Sequence, residues 1–123
     1  MSKILILGFH TINFTLIIFY LYPGSIFGYI LYNDTSIQPQ ITKDFLISSN
    51  HFYAFILLST LGIIAYWDTK KIRFLIKYLF SLATILELFH LIIPNRTFEL
   101  NDLLGNIIGV TVVILFYKIK QKI

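Results

Sequence analysis

The sequence ELFHLIIPNRTFELNDLLGNIIG, residues 87–109, joins two apolar runs of the chain. It begins inside one apolar run, turns at Pro94 and enters a second apolar run at Asp102. Between those points it carries acidic, basic and amide side chains, whereas most of the chain is apolar. Ionisable groups near membrane depth are costly and usually have a buried or aqueous partner. The stretch therefore predicts a helical hairpin that carries the functional site.

Composition places the whole chain in the membrane class. It has 123 residues, of which 57% are hydrophobic and 13% charged, and its mean hydropathy is +0.78. Soluble domains carry about 25% charged residues. The chain has no cysteine, which excludes a disulfide framework and a thiolate metal site. We therefore expect an all-α polytopic membrane protein with a single domain over residues 1–123.

Four apolar runs predict four spanning helices, since a span needs about 20 residues. We place these helices at about 4–22, 51–67, 74–93 and 102–117. They would form a compact four-transmembrane-helix bundle. The segment SIFGYILY, residues 25–32, is too short to span and is expected to lie in the interface or to re-enter the membrane.

The basic residues predict the orientation. The net charge of +4 is explained by membrane topology, so we expect no nucleic-acid partner. With four spans, eight of the ten basic residues fall on the side that holds both termini: Lys3, Lys70, Lys71, Arg73, Lys77, Lys118, Lys120 and Lys122. This asymmetry predicts that both termini are cytoplasmic. Aromatic belts are expected at Tyr66, Trp67 and Tyr78 inside, and at Tyr20, Tyr22, Phe27, Tyr29 and Tyr32 outside.

Helical spacing gathers the candidate site residues. Glu87 and His90 are three residues apart and share a face of the third helix, where a carboxylate must be protonated or paired. Asp102 and Asn106 share a face of the fourth helix at i,i+4. Arg96, in the turn, is expected to lie above these polar side chains and within reach of Asp102.

Two further residues are expected at the same end of the bundle. Ser48, Ser49 and Asn50 are good N-cap residues, and His51 follows directly at the outer end of the second helix. A purely interfacial role for Asn50 and His51 is the alternative.

Two glycines predict a close helix contact. Gly105 and Gly109 form a small-xxx-small pair, which lets another helix approach closely. We expect this face to dock a partner helix or to support a homo-oligomer.

Metal and cofactor signals are weak. Glu87-Leu-Phe-His90 matches the Glu-x-x-His of di-iron bundles, but those sites need two copies and more carboxylates. The common hydrolase and zinc-protease signatures are missing from the sequence. We therefore assign no metal ligands and no cofactor.

Residues 87–109 resemble the signature of the VanZ-like family. In that family a helix ends in Glu-x-x-Gln, a Pro-x-Arg turn follows, and Asp-x-x-x-Asn-x-x-Gly opens the last helix. SSNHFYAF, residues 48–55, resembles the start of the family's second helix, and YPGS, residues 22–25, resembles a subgroup variant. The resemblance covers most of the chain from Tyr22 to Tyr117.

The resemblance implies site residues, which carry over as His51, Glu87, Pro94, Arg96, Asp102, Asn106 and Gly109. Two positions depart from the family pattern. His90 occupies the usual Gln position, which replaces a neutral amide with a titratable group, and Asn50 stands where Lys is common. VanZ-like proteins are small bacterial inner-membrane proteins, and the founding member is linked to resistance against the glycopeptide teicoplanin.

Two function hypotheses stay open. In the first, the cluster binds or modifies a cell-envelope lipid or lipid-linked glycan at the outer leaflet. Glu87 and His90 would be the catalytic acid–base pair, Arg96 would hold a phosphate or carboxylate, and Asp102, Asn106, His51 and Asn50 would line the ligand site. In the second, the protein is a non-enzymatic scaffold or partner-binding protein whose polar cluster is structural. A cavity open to water or headgroups favours the first, and a closed, satisfied network favours the second.

Overall fold

A computed structural model describes residues 3–122 as an all-α protein. Five helices follow one another in this part of the chain: α1 (Lys3–Leu21), α2 (Ile26–Tyr32), α3 (Ser49–Tyr66), α4 (Ile72–Phe89) and α5 (Leu100–Lys120). The predicted all-α class is confirmed.

Three of the helices, α1, α3 and α5, are long and apolar enough to span a membrane. α4 has 18 residues and carries Arg73, Lys77 and Glu87. Large apolar side chains stand on the surface along the chain, including Ile4, Leu46 and Phe116. Many large exposed apolar side chains are typical of contact with a membrane or a partner. The structure therefore agrees with a lipid-embedded chain.

The bundle is built around the contact of α3 with α5. A Cβ atom added to Gly105 would lie 2.8 Å from the Ser48 carbonyl oxygen, and one added to Gly109 would lie 2.7 Å from the Phe52 carbonyl oxygen. Only glycine permits the two backbones to approach this closely. The predicted close helix contact is confirmed, but the partner is α3 of the same chain. Both glycines are buried there, so the homo-oligomer contact assigned to them is wrong.

α4 ends earlier than predicted. The sequence placed its end at residue 93, whereas the helix ends at Phe89 with His90 as its C-cap. The backbone N–H groups of His90, Leu91 and Ile92 each bond to the carbonyl three residues back, which tightens the last turn. Pro94 disfavours the helical conformation of Ile93, so the helix does not resume beyond this turn. Glu87 consequently lies in the last turn of α4.

The segment between α1 and α3 is ordered by hydrogen bonds of its own side chains to nearby backbone groups. α2 is capped by Ser25, whose hydroxyl accepts from the Gly28 backbone N–H at 2.9 Å. The turn that follows is fixed by Asp34, whose carboxylate accepts from the Ser36 backbone N–H at 2.8 Å and from its hydroxyl at 2.7 Å. These bonds hold the pKa of Asp34 below its usual value. The segment of residues 25–32 is short, as expected, and forms a helix of 7 residues.

Candidate functional site

Four helix ends meet at one end of the bundle, which we call the site end. α1 and α4 end there, and α3 and α5 begin there. This arrangement brings Glu87, His90, His51 and Asp102 together. The proximity of these four side chains follows the sequence-based expectation, although their individual contacts differ from it.

Glu87 is the most enclosed member of the group, with 0% of its side chain exposed. Its Oε1 accepts from the Glu99 backbone N–H at 3.1 Å and lies 3.2 Å from His90 Nδ1. Its Oε2 has no hydrogen-bond partner among the described residues. Oε1 of Glu87 is therefore held by a hydrogen bond, whereas the buried Oε2 has no donor among the described residues.

His90 is held by contacts at both ring nitrogens. Nε2 lies 3.0 Å from the Tyr20 carbonyl oxygen, and because a carbonyl only accepts, Nε2 must carry hydrogen. Nδ1 faces Glu87 Oε1 at 3.2 Å. The His90 ring also stacks on Tyr20 at 5.8 Å between centroids. Its nitrogens are thus committed to internal contacts, which is unfavourable for the acid–base role predicted for it.

His51 is more accessible than His90 and faces both carboxylates. Its Nδ1 lies 2.9 Å from the Ser48 hydroxyl. Its Nε2 lies 3.7 Å from Glu87 Oε2 and 3.4 Å from Asp102 Oδ2. Both distances exceed the usual 2.7–3.2 Å or so of an N–H···O bond. One donor atom from each of His51, Glu87 and Asp102 lies within 4.8 Å of the other two.

Asn106 is fully buried and binds only inside the bundle. Its Oδ1 accepts from the Tyr20 hydroxyl at 2.6 Å, and its Nδ2 donates to the Ala83 carbonyl at 3.0 Å. The amide therefore ties α5 to α1 and α4. The prediction that Asn106 lines a ligand site is wrong, because both of its polar atoms are used inside the bundle. Tyr20 was expected in an aromatic belt, but it is only 8% exposed because its hydroxyl reaches Asn106.

Arg96 caps the end of α1. Its Nη2 donates to the Phe19 carbonyl at 2.8 Å, and its Nε donates to the Tyr22 carbonyl at 3.1 Å. No ion pair joins Arg96 to an acidic side chain in residues 3–122, so the expected contact with Asp102 is wrong. The last carbonyls of a helix lack intrahelical partners, and this explains the choice of acceptor. Partial burial lowers the pKa of the Arg96 guanidinium, and Glu87 is the strongest of the nearby groups that oppose the shift.

Asn50 attaches the loop between α2 and α3 to the start of α3 through two hydrogen bonds. Its Nδ2 donates to the Pro39 carbonyl at 2.7 Å, and its Oδ1 accepts from the Ile41 backbone N–H at 3.0 Å. The side chain predicted to bind a ligand is thus used to hold this loop.

A cavity of about 360 Å³ lies between α1, α2 and α3 and the loop at residues 38–41. Most of its wall is apolar. His51, His90 and Arg96 line it at the site end, and Ile12 and Leu57 line it deeper in the bundle. Ile12 lies nine residues before the last residue of α1, which corresponds to a depth of about 13 Å. The cavity therefore runs from basic groups at one end to aliphatic side chains at the other.

Sequence reasoning missed two residues of this site. Tyr20 contacts His90 through its carbonyl and Asn106 through its hydroxyl, and Ser48 contacts His51. Tyr20 stands in an apolar run and gave no local signal of a buried role. Ser48 lies three residues before His51, so helix-start geometry could have paired them.

Comparison with known proteins gave no match: no family model matches the chain, and neither do the curated proteins or the solved structures that were searched.

Proposed function

We propose that this chain is a VanZ-like protein of the bacterial inner membrane that binds an envelope lipid or lipid-linked glycan at the outer leaflet. The cavity between α1, α2 and α3 is the binding site in this proposal. The supporting observation is the change in the lining of the cavity, from the basic side chains of His51, His90 and Arg96 at the site end to aliphatic side chains deeper in the bundle. Cavities of about 300–1,000 Å³ with apolar walls and a few convergent polar groups are typical ligand sites.

The chemistry of the cavity favours an anionic amphiphile. Arg96 uses two N–H groups on the Phe19 and Tyr22 carbonyls, which leaves other donors of its guanidinium for a phosphate or carboxylate. The apolar depth of about 13 Å accommodates part of an acyl or prenyl chain. Binding alone is proposed, because His90 is committed to internal contacts and Glu87 is enclosed. The resemblance of residues 87–109 to the VanZ-like family supports an envelope role, and teicoplanin resistance stays a prediction from that resemblance.

The proposal includes a four-span topology with both termini in the cytoplasm. α4 serves as the fourth span, with Arg73 and Lys77 reaching the headgroups from its first turns. The site end then faces the outer leaflet. The support is the concentration of basic residues on the side opposite the site.

Cysteine labelling tests this topology in a chain without native cysteine. Thr97 and Asp68 are exposed and lie at opposite ends of the bundle. We expect a membrane-impermeant maleimide to label Thr97→Cys in intact spheroplasts and to label Asp68→Cys only after the membrane is opened. The reverse pattern would show that the site end faces the cytoplasm.

Native mass spectrometry of gently extracted protein tests the binding site. Ala54 lines the cavity on α3, and the indole of Ala54→Trp would fill it. Leu115 is exposed outside the cavity and gives the matched control Leu115→Trp. We expect the wild type and the control to retain an anionic lipid adduct and Ala54→Trp to lose it. Adducts retained equally by all three proteins would contradict the site, and no adduct on the wild type would favour a structural role for the cluster.

A further inference from the structure

We propose that His51, Glu87 and Asp102 form a binding site for a divalent first-row transition-metal ion such as Zn²⁺. The site goes beyond the proposed lipid binding and does not depend on it. It combines residues from α3, α4 and α5 that are far apart in sequence.

The separations of the donor atoms fit a coordination sphere. Nitrogen and oxygen ligands bind zinc at about 2.0–2.2 Å, so neighbouring ligands of a tetrahedral ion are separated by roughly 3.4 Å. His51 Nε2 lies 3.4 Å from Asp102 Oδ2 and 3.7 Å from Glu87 Oε2. These two spacings are too long for good hydrogen bonds but suit neighbouring ligands of one ion. One oxygen of Glu87 and one of Asp102 lie within 4.8 Å of each other.

A second observation points to a cation. Glu87 Oε2 is buried, has no hydrogen-bond partner among the described residues and faces His51. A buried carboxylate oxygen is unfavourable when nothing compensates it. Two carboxylates beside one imidazole supply negative charge that a divalent ion would neutralise, and this mixed set of ligands suits zinc, iron or manganese.

The surrounding groups already orient the proposed ligands. The Ser48 hydroxyl lies 2.9 Å from His51 Nδ1. When Nδ1 donates to it, the lone pair of the ring is presented at Nε2. The Glu99 backbone N–H and His90 hold the other oxygen of Glu87. The side chains of His51 and Asp102 are 16% and 18% exposed, which gives the ion an access path.

Metal analysis of the purified full chain tests the site. The protein would carry a histidine-free tag, be stripped with a chelator in detergent, and be dialysed against Zn²⁺ with excess Mg²⁺. We expect one Zn²⁺ per chain by elemental analysis, a raised melting temperature, and visible d–d bands when Co²⁺ replaces Zn²⁺. Absence of stoichiometric binding to the folded wild type would overturn the proposal.

Three variants separate this site from adventitious binding. Changes in groups that only orient ligands cost about 10–100-fold in affinity, so losing a ligand in Glu87→Gln or Asp102→Asn should cost at least about 100-fold. Glu99 is exposed and lies outside the triad, and Glu99→Gln should bind like the wild type. Circular dichroism reports whether each variant is folded. If Glu87→Gln does not fold, the affinity of Asp102→Asn for Zn²⁺ provides the test. Wild-type affinity in a folded ligand variant would refute the site, whether or not lipid is bound.

Discussion

Replacing Asn106 with alanine is expected to lower the free energy of unfolding by about 2–4 kcal/mol. The change removes the acceptor of the Tyr20 hydroxyl and the donor to the Ala83 carbonyl. A buried hydroxyl is then left without its partner, and a small void opens where three helices meet. The measurement is chemical or thermal unfolding in detergent, monitored by circular dichroism.

Asn101 provides the matched control, since it is also on α5 but is exposed. Asn101→Ala should change the stability by no more than about 0.5 kcal/mol. A double-mutant cycle with Tyr20→Phe should show that the two losses are not additive, because both variants remove the same hydrogen bond. Additive losses, or equal effects of Asn106→Ala and Asn101→Ala, would contradict the role assigned to this amide.

Replacing Arg96 with alanine is expected to cost about 2–3 kcal/mol, because the guanidinium makes charge-assisted bonds to the Phe19 and Tyr22 carbonyls. The loss of stability in Arg96→Ala should be concentrated at the end of α1. Hydrogen exchange of the last turn of α1 measures it locally, and unfolding in detergent measures it for the whole chain.

Arg73 is exposed on α4 and serves as the control for the removal of one positive charge. Arg73→Ala should leave both the stability and the exchange of α1 unchanged. Faster exchange throughout the bundle in Arg96→Ala, without a local maximum at α1, would indicate that Arg96 does not act as a cap.

Much of the architecture could be predicted because apolar periodicity and turn residues act locally. The long apolar runs and the pair Gly105 and Gly109 indicated the helices and their close contact. The end of α4 was misplaced because apolar residues continue from Leu91 to Ile93. Apolar composition alone does not show where the backbone leaves the helix, so Pro94 was taken as the helix end.

The contacts of the site were harder to predict because they depend on which elements pack together. Charge suggested that Arg96 would meet Asp102, but the nearby end of α1 offers carbonyls that lack intrahelical partners. The Glu87–His90 pair could be read from a spacing of three residues. The proximity of Glu87 to His51 could not be predicted from the sequence, because it requires α3 and α4 to meet in a particular orientation.

His51 is the more accessible of the two histidines in the cluster. His90 is 3% exposed and is bonded through its ring to the Tyr20 carbonyl. His51 lines the cavity and presents Nε2 toward two carboxylates.

If the cavity recognises the anionic head of an amphiphile, paired binding titrations will show a preference for the charged ligand. A polyprenyl phosphate and the polyprenol of the same chain length would be titrated against wild-type protein and Ala54→Trp in detergent. A charge-assisted contact with Arg96 should make the phosphate bind the wild type at least about tenfold more tightly than the alcohol. Ala54→Trp should weaken the binding of both ligands, because Ala54 lines the cavity. Equal affinities of the wild type for phosphate and alcohol, or unchanged binding by Ala54→Trp, would contradict the proposed function.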